Sequence, residues 1–167
     1  IIFRRTDYFT KLDIALDDQL NDRACSETAT FYPHGELGAL YSKQVVFRDG
    51  EQQGYALHDS PKTLAFVALA PKKQPYAVKT LPDDQQMLMF KKIVLLLEIA
   101  IKHGHDSLVL GALGCGAFQN PASDVAKLFR LALSTYQYQF KLVVFAVLDR
   151  DGDRDPSSNV NQFREVM

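Results

Sequence analysis

The chain has 167 residues, of which 47% are hydrophobic and 23% charged, and its net charge is −1; these values exclude an intrinsically disordered chain and fit one globular domain. The near-neutral charge gives no broad basic surface for nucleic acid, and the longest apolar run, at residues 93–101, contains Glu98 and is too short to span a membrane. Two cysteines, Cys25 and Cys115, are too few for a disulfide framework, so we expect a cytoplasmic protein.

The N-terminal part of the chain carries weak structural signals. Residues 1–22 have apolar side chains at helical spacing, and residues 24–40 are predicted to form a loop. Residues 44–48 are predicted to form a short strand that ends at the turn dipeptide Asp49-Gly50. No helix-start signal precedes the first apolar residues, so we expect the chain to begin inside an element, with part of its domain upstream.

Three apolar runs in the rest of the chain are typical of strands that are covered on both faces. They lie at residues 63–70, 107–113 and 141–148. Segments with helical spacing separate them. This alternation predicts an α/β fold with a mixed, largely parallel sheet and helices on both of its faces.

Two long helices and a short one are predicted between and after these strands. The first, at residues 81–103, ends at Gly104, a natural stop, and its apolar stripe consists of Phe90, Ile93, Val94, Leu97 and Ile101. The stripe of the second, at residues 121–136, consists of Val125, Leu128, Phe129 and Ala132. Residues 159–166 are predicted to form a short final helix.

The strand at residues 107–113 runs into four small residues: Gly114, Cys115, Gly116 and Ala117. Small residues allow a ligand to approach the backbone closely and permit unusual dihedral angles, and we expect a positive φ at Gly116. Asn120 is expected to cap the next helix, with Pro121 in its first turn. Free N–H groups at a helix N-terminus, at the carboxyl end of a strand, suit an anion such as phosphate. A tight turn without a ligand fits the same spacing, which matches neither the P-loop nor the dinucleotide-binding pattern.

The string LGALGCGAFQNPASDVAKLF, at residues 110–129, resembles the G-x-x-G-C-G-A-F-x-N-P loop of the bacterial-type poly(ADP-ribose) glycohydrolase family, whose fold is a macrodomain. Shorter likenesses to this family lie in RRTDYFTKL, YSKQVVFRD, ALAPKKQP and LVVFAVLDR. The resemblance implies a macrodomain-like α/β/α sandwich. Residues 1–167 would then form a single ADP-ribose-binding domain, as the C-terminal portion of a longer one.

The resemblance also implies a ligand and the residues that hold it. The ligand is ADP-ribose, free or within poly(ADP-ribose) on modified proteins, and neither a cofactor nor a metal is implied. The residues assigned to the ligand are Gly114, Cys115, Gly116, Ala117, Phe118, Asn120, Asn159 and Phe163. The backbone N–H groups of the first four would face the diphosphate, and Phe118 would stack on the distal ribose. Asn159 and Phe163 would lie at the adenosine end.

The chain departs from the family at the catalytic residues. The family's Gly-Gly-Gly loop and Gln-Glu-Glu triplet, which supplies the acid at the ribose–ribose bond, do not occur in this sequence and would align just before Ile1. No catalytic residue is therefore assigned within the chain, and Glu36, Asp124 and Asp149 are poor substitutes. We expect ADP-ribose binding here, and hydrolysis of poly(ADP-ribose) in a complete domain. The alternative is a macrodomain that binds ADP-ribose without cleaving it.

Three other patterns admit a different chemistry. Cys115 at a strand-to-helix turn could act as a nucleophile, so an unrelated cysteine hydrolase is a second alternative, although the sequence lacks the glycines of a G-x-C-x-G elbow. The string HGHD at residues 103–106 is typical of a helix end as well as of metal ligands. The acidic string at residues 149–155 has its glycine in the wrong place for a calcium loop, and a solvated turn fits it better.

Overall fold

A computed structural model of the chain describes residues 5–7, 36–148 and 155–167. The predicted helix at residues 1–22 and most of the predicted loop at 24–40 lie outside the described residues. The chain packs as two compact units, Ile1–Ala68 and Leu69–Met167. The assignment of the whole chain to a single domain stays a prediction.

The first unit contains an antiparallel pair of strands. Strand β1, Leu40–Arg48, pairs with strand β2, Leu57–Ala68, and a short 3₁₀ turn, Glu51–Gln53, lies between them. Both strands are longer than predicted, because the antiparallel ladder continues beyond the apolar residues on which the prediction rested. The prediction that the second strand is covered on both faces is wrong, since Leu64 is 52% exposed and most of β2 before it is exposed as well.

One side chain of β1 is buried without hydrogen bonds. Gln44 is 0% exposed, and neither its Oε1 nor its Nε2 finds a partner in the part of the chain that the structure describes. The next residue, by contrast, has a hydrogen-bond partner: the backbone N–H of Val45 donates to Oδ1 of Asp7 at 2.7 Å. A buried amide that makes no hydrogen bond costs free energy of folding, so Gln44 weakens this unit.

The second unit begins with the long helix α1, Asp83–Lys102. Pro82 precedes its first turn, where Asp83 and Asp84 place negative charge at the positive end of the helix dipole. The helix stops just before Gly104, the predicted stop, whose φ is +73°. The N–H of Gly104 donates to Ile101 and that of His105 to Ala100, a Schellman motif that satisfies the last carbonyl groups.

A parallel pair of short strands follows α1. Strand β3, Ser107–Leu110, pairs with strand β4, Leu142–Phe145. The prediction that these strands are covered on both faces is wrong, because Val109 is 76% and Val144 is 42% exposed, whereas Leu110 is 6% exposed. Side chains alternate between the two faces of a strand, and an apolar run alone does not tell a strand with one covered face from a strand with two.

Two further helices complete the core on the covered face. Helix α2 is Ala122–Thr135, and helix α3 is Asn159–Val166, the predicted range. The predicted stripes are confirmed at their centres, where Ile93, Leu97, Val125, Phe129 and Ala132 are at most 1% exposed. Phe163 of α3 joins them at 3% exposure, and its ring centroid lies 5.4 Å from that of Phe145. Met89 and Ala100 are also buried and were missed. No helix among the described residues is long and apolar enough to cross a membrane.

We predict that Gln44→Met raises the free energy of unfolding by about 1 kcal/mol, because it removes a buried amide without partners and keeps the side-chain length. Chemical denaturation of both proteins measures the difference. Gln52→Met, at an exposed position of the 3₁₀ turn, is the matched control and should change stability little. A loss of stability in Gln44→Met would contradict the account of this side chain.

Candidate functional site

A cavity of about 710 Å³ lies at the carboxyl ends of the parallel strands β3 and β4. Its wall is formed by the loop after β3 (Cys115, Gly116 and Ala117), by residues 146–148 after β4, and by residues 157–159 at the start of α3. Clefts at this edge of a parallel sheet are where α/β proteins bind their ligands. The volume falls in the range of sites for small molecules.

The conformation of the loop depends on Gly114. Its φ is +73°, and a Cβ atom there would lie 2.6 Å from Nδ2 of Asn120 and 2.7 Å from Cγ of Pro71. No other residue fits this position, because a side chain would be both strained and obstructed. The positive φ expected at Gly116 is wrong: the loop glycine with a positive φ is Gly114, and a Cβ on Gly116 meets no atom within 4 Å.

Four of the eight predicted ligand residues line the cavity: Cys115, Gly116, Ala117 and Asn159. Gly116 and Ala117 are exposed, so their backbone is open to a ligand. The N–H of Cys115 is engaged within the turn, where it donates to Ala112 at 3.1 Å. Its carbonyl accepts from Nδ2 of Asn159 at 3.4 Å, which joins the loop to the start of α3.

The other predicted ligand residues lie outside the described cavity wall. Phe118 is half-buried, and its carbonyl accepts from the N–H of Gln74 at 2.9 Å. Phe163 is a core residue packed against Phe129 and Phe145, which leaves its ring no open face toward the cavity. The ligand contacts assigned to Gly114, Phe118, Asn120 and Phe163 stay predictions.

The expected capping role of Asn120 is wrong. Helix α2 begins at Ala122 after Pro121, and no side chain caps it. Asn120 is 4% exposed, and its Nδ2 points back into the loop, where it donates to the carbonyl of Gly114 at 3.0 Å. Its Oδ1, the atom that would accept from a helix N–H, accepts instead from Nε2 of Gln74 at 3.0 Å, so the side chain serves the loop and not the helix.

The side of the cavity at α3 carries a fixed negative charge. Oδ1 of Asp155 accepts from the N–H of Ser157 at 2.8 Å and from its hydroxyl at 2.7 Å. These hydrogen bonds hold the pKa of Asp155 below its usual range, so the carboxylate is ionised at neutral pH. Ser158 caps α3 by accepting from the N–H of Asn161 at 3.2 Å. An ionised carboxylate favours ligand hydroxyl or amino groups, whereas the helix terminus favours an anion.

Asp155 was missed as a site residue, because it stands in an acidic string that also fits a solvated turn. The available signal was the Asp-x-Ser spacing, which is typical of a carboxylate that accepts from the backbone two residues later. Residues 149–154, the rest of this string, lie outside the described residues. Asp149, one of the candidate acids, is among these residues, so the structure does not test its role.

The thiol of Cys115 is a poor nucleophile in this setting. Burial raises the pKa of Cys115 to about 12, which leaves the thiol protonated at neutral pH. Its Sγ lies 3.6 Å from the carbonyl of Leu113, to which it donates. The thiolate that a cysteine hydrolase requires is therefore disfavoured.

The remaining acidic and histidine candidates all take part in interactions within the described part of the chain. Oδ2 of Asp124 accepts from the N–H of Leu81 at 2.8 Å, which holds this 9% exposed carboxylate beside α1. His103 follows the last residue of α1, and Asp106 forms an ion pair with Lys141 at 2.6 Å. Across residues 5–7, 36–148 and 155–167, no cluster of three metal-binding side chains is present. Glu36 belongs to the other unit.

The structure is similar to those of bacterial poly(ADP-ribose) glycohydrolases. The Deinococcus radiodurans enzyme in complex with ADP-ribose is 26% identical with a TM-score of 0.69, over 98% of this chain and 64% of that chain. The Thermomonospora curvata enzyme bound to the inhibitor ADP-HPD is 28% identical with a TM-score of 0.62, over 77% of this chain and 48% of that chain. A point mutant of the T. curvata enzyme gives the same values.

These likenesses confirm the family resemblance and the macrodomain-like α/β fold class that the sequence indicates. The chain spans 48% to 64% of the length of these relatives. No protein-family model and no curated protein matches the sequence.

We predict that Cys115 in the folded protein reacts with iodoacetamide at pH 8 at least tenfold more slowly than in the urea-unfolded chain, because a pKa of about 12 leaves almost no thiolate. Peptide mass spectrometry follows the modification of Cys115 separately from that of Cys25. Equal rates in the folded and unfolded states would show a reactive thiol and would support the alternative function of a cysteine hydrolase.

Proposed function

We propose that this chain, which has the fold and the loop motif of the bacterial-type poly(ADP-ribose) glycohydrolases, binds ADP-ribose in the cavity at the ends of β3 and β4. One observation carries the proposal. The loop that bears the family motif and the start of α3 enclose a single cavity of about 710 Å³. Two of the structural relatives hold ADP-ribose or the inhibitor ADP-HPD. The proposal transfers this ligand to the cavity described here.

The chemistry of the wall supports a nucleotide diphosphate. The exposed backbone of Gly116 and Ala117 allows the close approach that a diphosphate needs. The N-terminal end of α3, at Asn159, adds a positive partial charge. The ionised carboxylate of Asp155 repels phosphate and accepts from hydroxyl or amino groups, so it favours a sugar or a base at its own end of the cavity.

Hydrolysis of the ribose–ribose bond in poly(ADP-ribose) is the second part of the proposal, and it belongs to a complete domain. Cleavage of a glycosidic bond needs a carboxyl group that protonates the leaving oxygen. Asp124 is bonded to the backbone of Leu81 and lies outside the cavity wall, which makes it unsuited to this task. A macrodomain that binds ADP-ribose without turnover is the competing function, and the presence or absence of the acid in a complete domain distinguishes the two.

The proposed function also implies the protein's binding partners and its location in the cell. ADP-ribosylated proteins would present the ligand, and removal of poly(ADP-ribose) from them would reverse the modification. A cytoplasmic location is supported by the two cysteines, of which Cys115 is a free thiol. Fractionation of cells that express the full-length protein tests the location directly.

We predict that the chain binds ADP-ribose more tightly than AMP, because only the former has a diphosphate for the loop and the helix terminus. Titration calorimetry measures both affinities. Gly116→Val should weaken ADP-ribose binding by about tenfold, or 1.4 kcal/mol. The melting temperature should hardly change, since a Cβ on Gly116 enters open space.

Ser134→Val, on the exposed side of α2, is the matched control and should bind ADP-ribose like the unaltered chain. Equal affinities for AMP and ADP-ribose would remove the diphosphate from the proposal. A folded Gly116→Val protein with unaltered affinity would show that the loop is only a turn.

We predict that the 167-residue chain leaves poly(ADP-ribose) intact, whereas a longer chain with an upstream Gln-Glu-Glu segment releases ADP-ribose. A polymer-release assay compares the two at equal protein concentration. Turnover by the shorter chain that is lost in Glu36→Gln or Asp149→Asn would place the acid inside the sequence and overturn this division of roles.

A further inference from the structure

Two buried carboxamides meet beside the loop, apart from the cavity wall. Gln74 is 2% and Asn120 is 4% exposed, and Nε2 of Gln74 donates to Oδ1 of Asn120 at 3.0 Å. The same Nε2 donates to Oε1 of Gln85, in the first turn of α1, at 2.7 Å. These three residues form a carboxamide cluster that connects the segment after β2, the loop after β3 and the start of α1.

The cluster closes the loop by hydrogen bonds to its backbone. The carbonyl of Gly114 accepts from both the backbone N–H and the Nδ2 of Asn120, each at 3.0 Å. Nδ2 also lies 3.1 Å from the carbonyl of Lys72 and 3.5 Å from that of Phe118. The N–H of Gln74 donates to Phe118 at 2.9 Å. Both ends of the stretch that contains Gly116 and Ala117 are therefore fixed by the cluster.

The direction of each amide in the cluster is dictated by its neighbours. Nδ2 of Asn120 faces three carbonyl oxygens, so that atom must be a donor, and Oδ1 faces the amino group of Gln74, so it must be an acceptor. Nε2 of Gln74 likewise faces two side-chain oxygens. Buried polar groups of this kind stabilise one arrangement strongly when every member is satisfied. A carboxylate of the same size at either donor position would set oxygen against oxygen.

We propose that Gln74 and Asn120 are positioning residues for ADP-ribose binding. Their amide donors hold the loop in the shape in which the backbone of Gly116 and Ala117 faces the cavity. This inference rests on the function proposed above and deepens it, because it places the control of affinity in two side chains that do not touch the cavity. It also replaces the direct ligand contact that the family resemblance assigns to Asn120.

The test exchanges amides for carboxylates of nearly equal shape. Asn120→Asp and Gln74→Glu replace a donor with an oxygen that faces other oxygens. Gln85→Glu is the matched control, because Oε1 of Gln85 already accepts, and a carboxylate there keeps the hydrogen bond from Gln74. The same chemical change is thus made at donor and acceptor positions of one cluster.

Calorimetric titration with ADP-ribose, at a temperature below the melting transition of every variant, measures the Kd of each protein. The Kd should rise by about tenfold or more in Asn120→Asp and in Gln74→Glu, and stay within about twofold in Gln85→Glu. The loss of ADP-ribose affinity in Gln74→Glu should become smaller as the pH falls, because a protonated carboxyl group regains one hydrogen-bond donor. A change that acted only through side-chain volume would not respond to pH in this way.

The inference is overturned if folded Asn120→Asp and Gln74→Glu bind ADP-ribose like the unaltered chain, or if Gln85→Glu loses as much affinity as they do. Should Asn120→Asp not fold, the ADP-ribose affinity of Gln74→Glu and its dependence on pH test the inference. Should the unaltered chain not bind ADP-ribose, the proposed function fails by itself. Hydrogen exchange at the N–H groups of Gln119 and Asn120 then tests the cluster: faster exchange in Gln74→Glu supports its hold on the loop, and unchanged exchange refutes it.

Discussion

The double hydrogen bond from Asn120 to the carbonyl of Gly114 is the contact on which the site depends. Gly114 has a φ of +73° in this arrangement, and it has no room for a Cβ atom, which would lie 2.6 Å from Nδ2 of Asn120. With these two residues joined, the intervening stretch turns its small residues toward the ends of β3 and β4. The loop thus derives its shape from buried side chains, and its exposed part is left free for a ligand.

The opposite wall of the cavity has a different chemistry. The start of α3 supplies a helix terminus, and Asp155 supplies an ionised carboxylate that is held by Ser157. A ligand with an anionic middle and hydroxyl-rich or amino-bearing ends suits such a wall, because phosphate and sugar are drawn to different parts of it. Asn159 links the two sides by donating to the carbonyl of Cys115 at 3.4 Å.

The parts of the fold that the sequence could predict are those with a clear period. Helices α1 and α2 follow from apolar stripes at helical spacing, and the end of α1 follows from Gly104. Each strand overlaps its predicted range, but β1 and β2 begin earlier than predicted, and β3 and β4 are shorter than their apolar runs. The exposed faces at Val109 and Val144 were not foreseen, since an apolar run has no period that distinguishes one covered face from two. The loop was found from its small residues and its family motif. The role of Gln74 was missed, because the sequence does not show which distant residue a polar side chain will contact in the fold.

The described wall of the cavity contains no group that exchanges protons near neutral pH. The carboxylate of Asp155 is ionised well below that range, and the thiol of Cys115 stays protonated far above it. Backbone amides, serine hydroxyls and the Asn159 carboxamide do not titrate. The charge of this described wall is consequently constant across the pH values found in cells. Acidification or alkalinisation of the surroundings leaves these residues in the same protonation state.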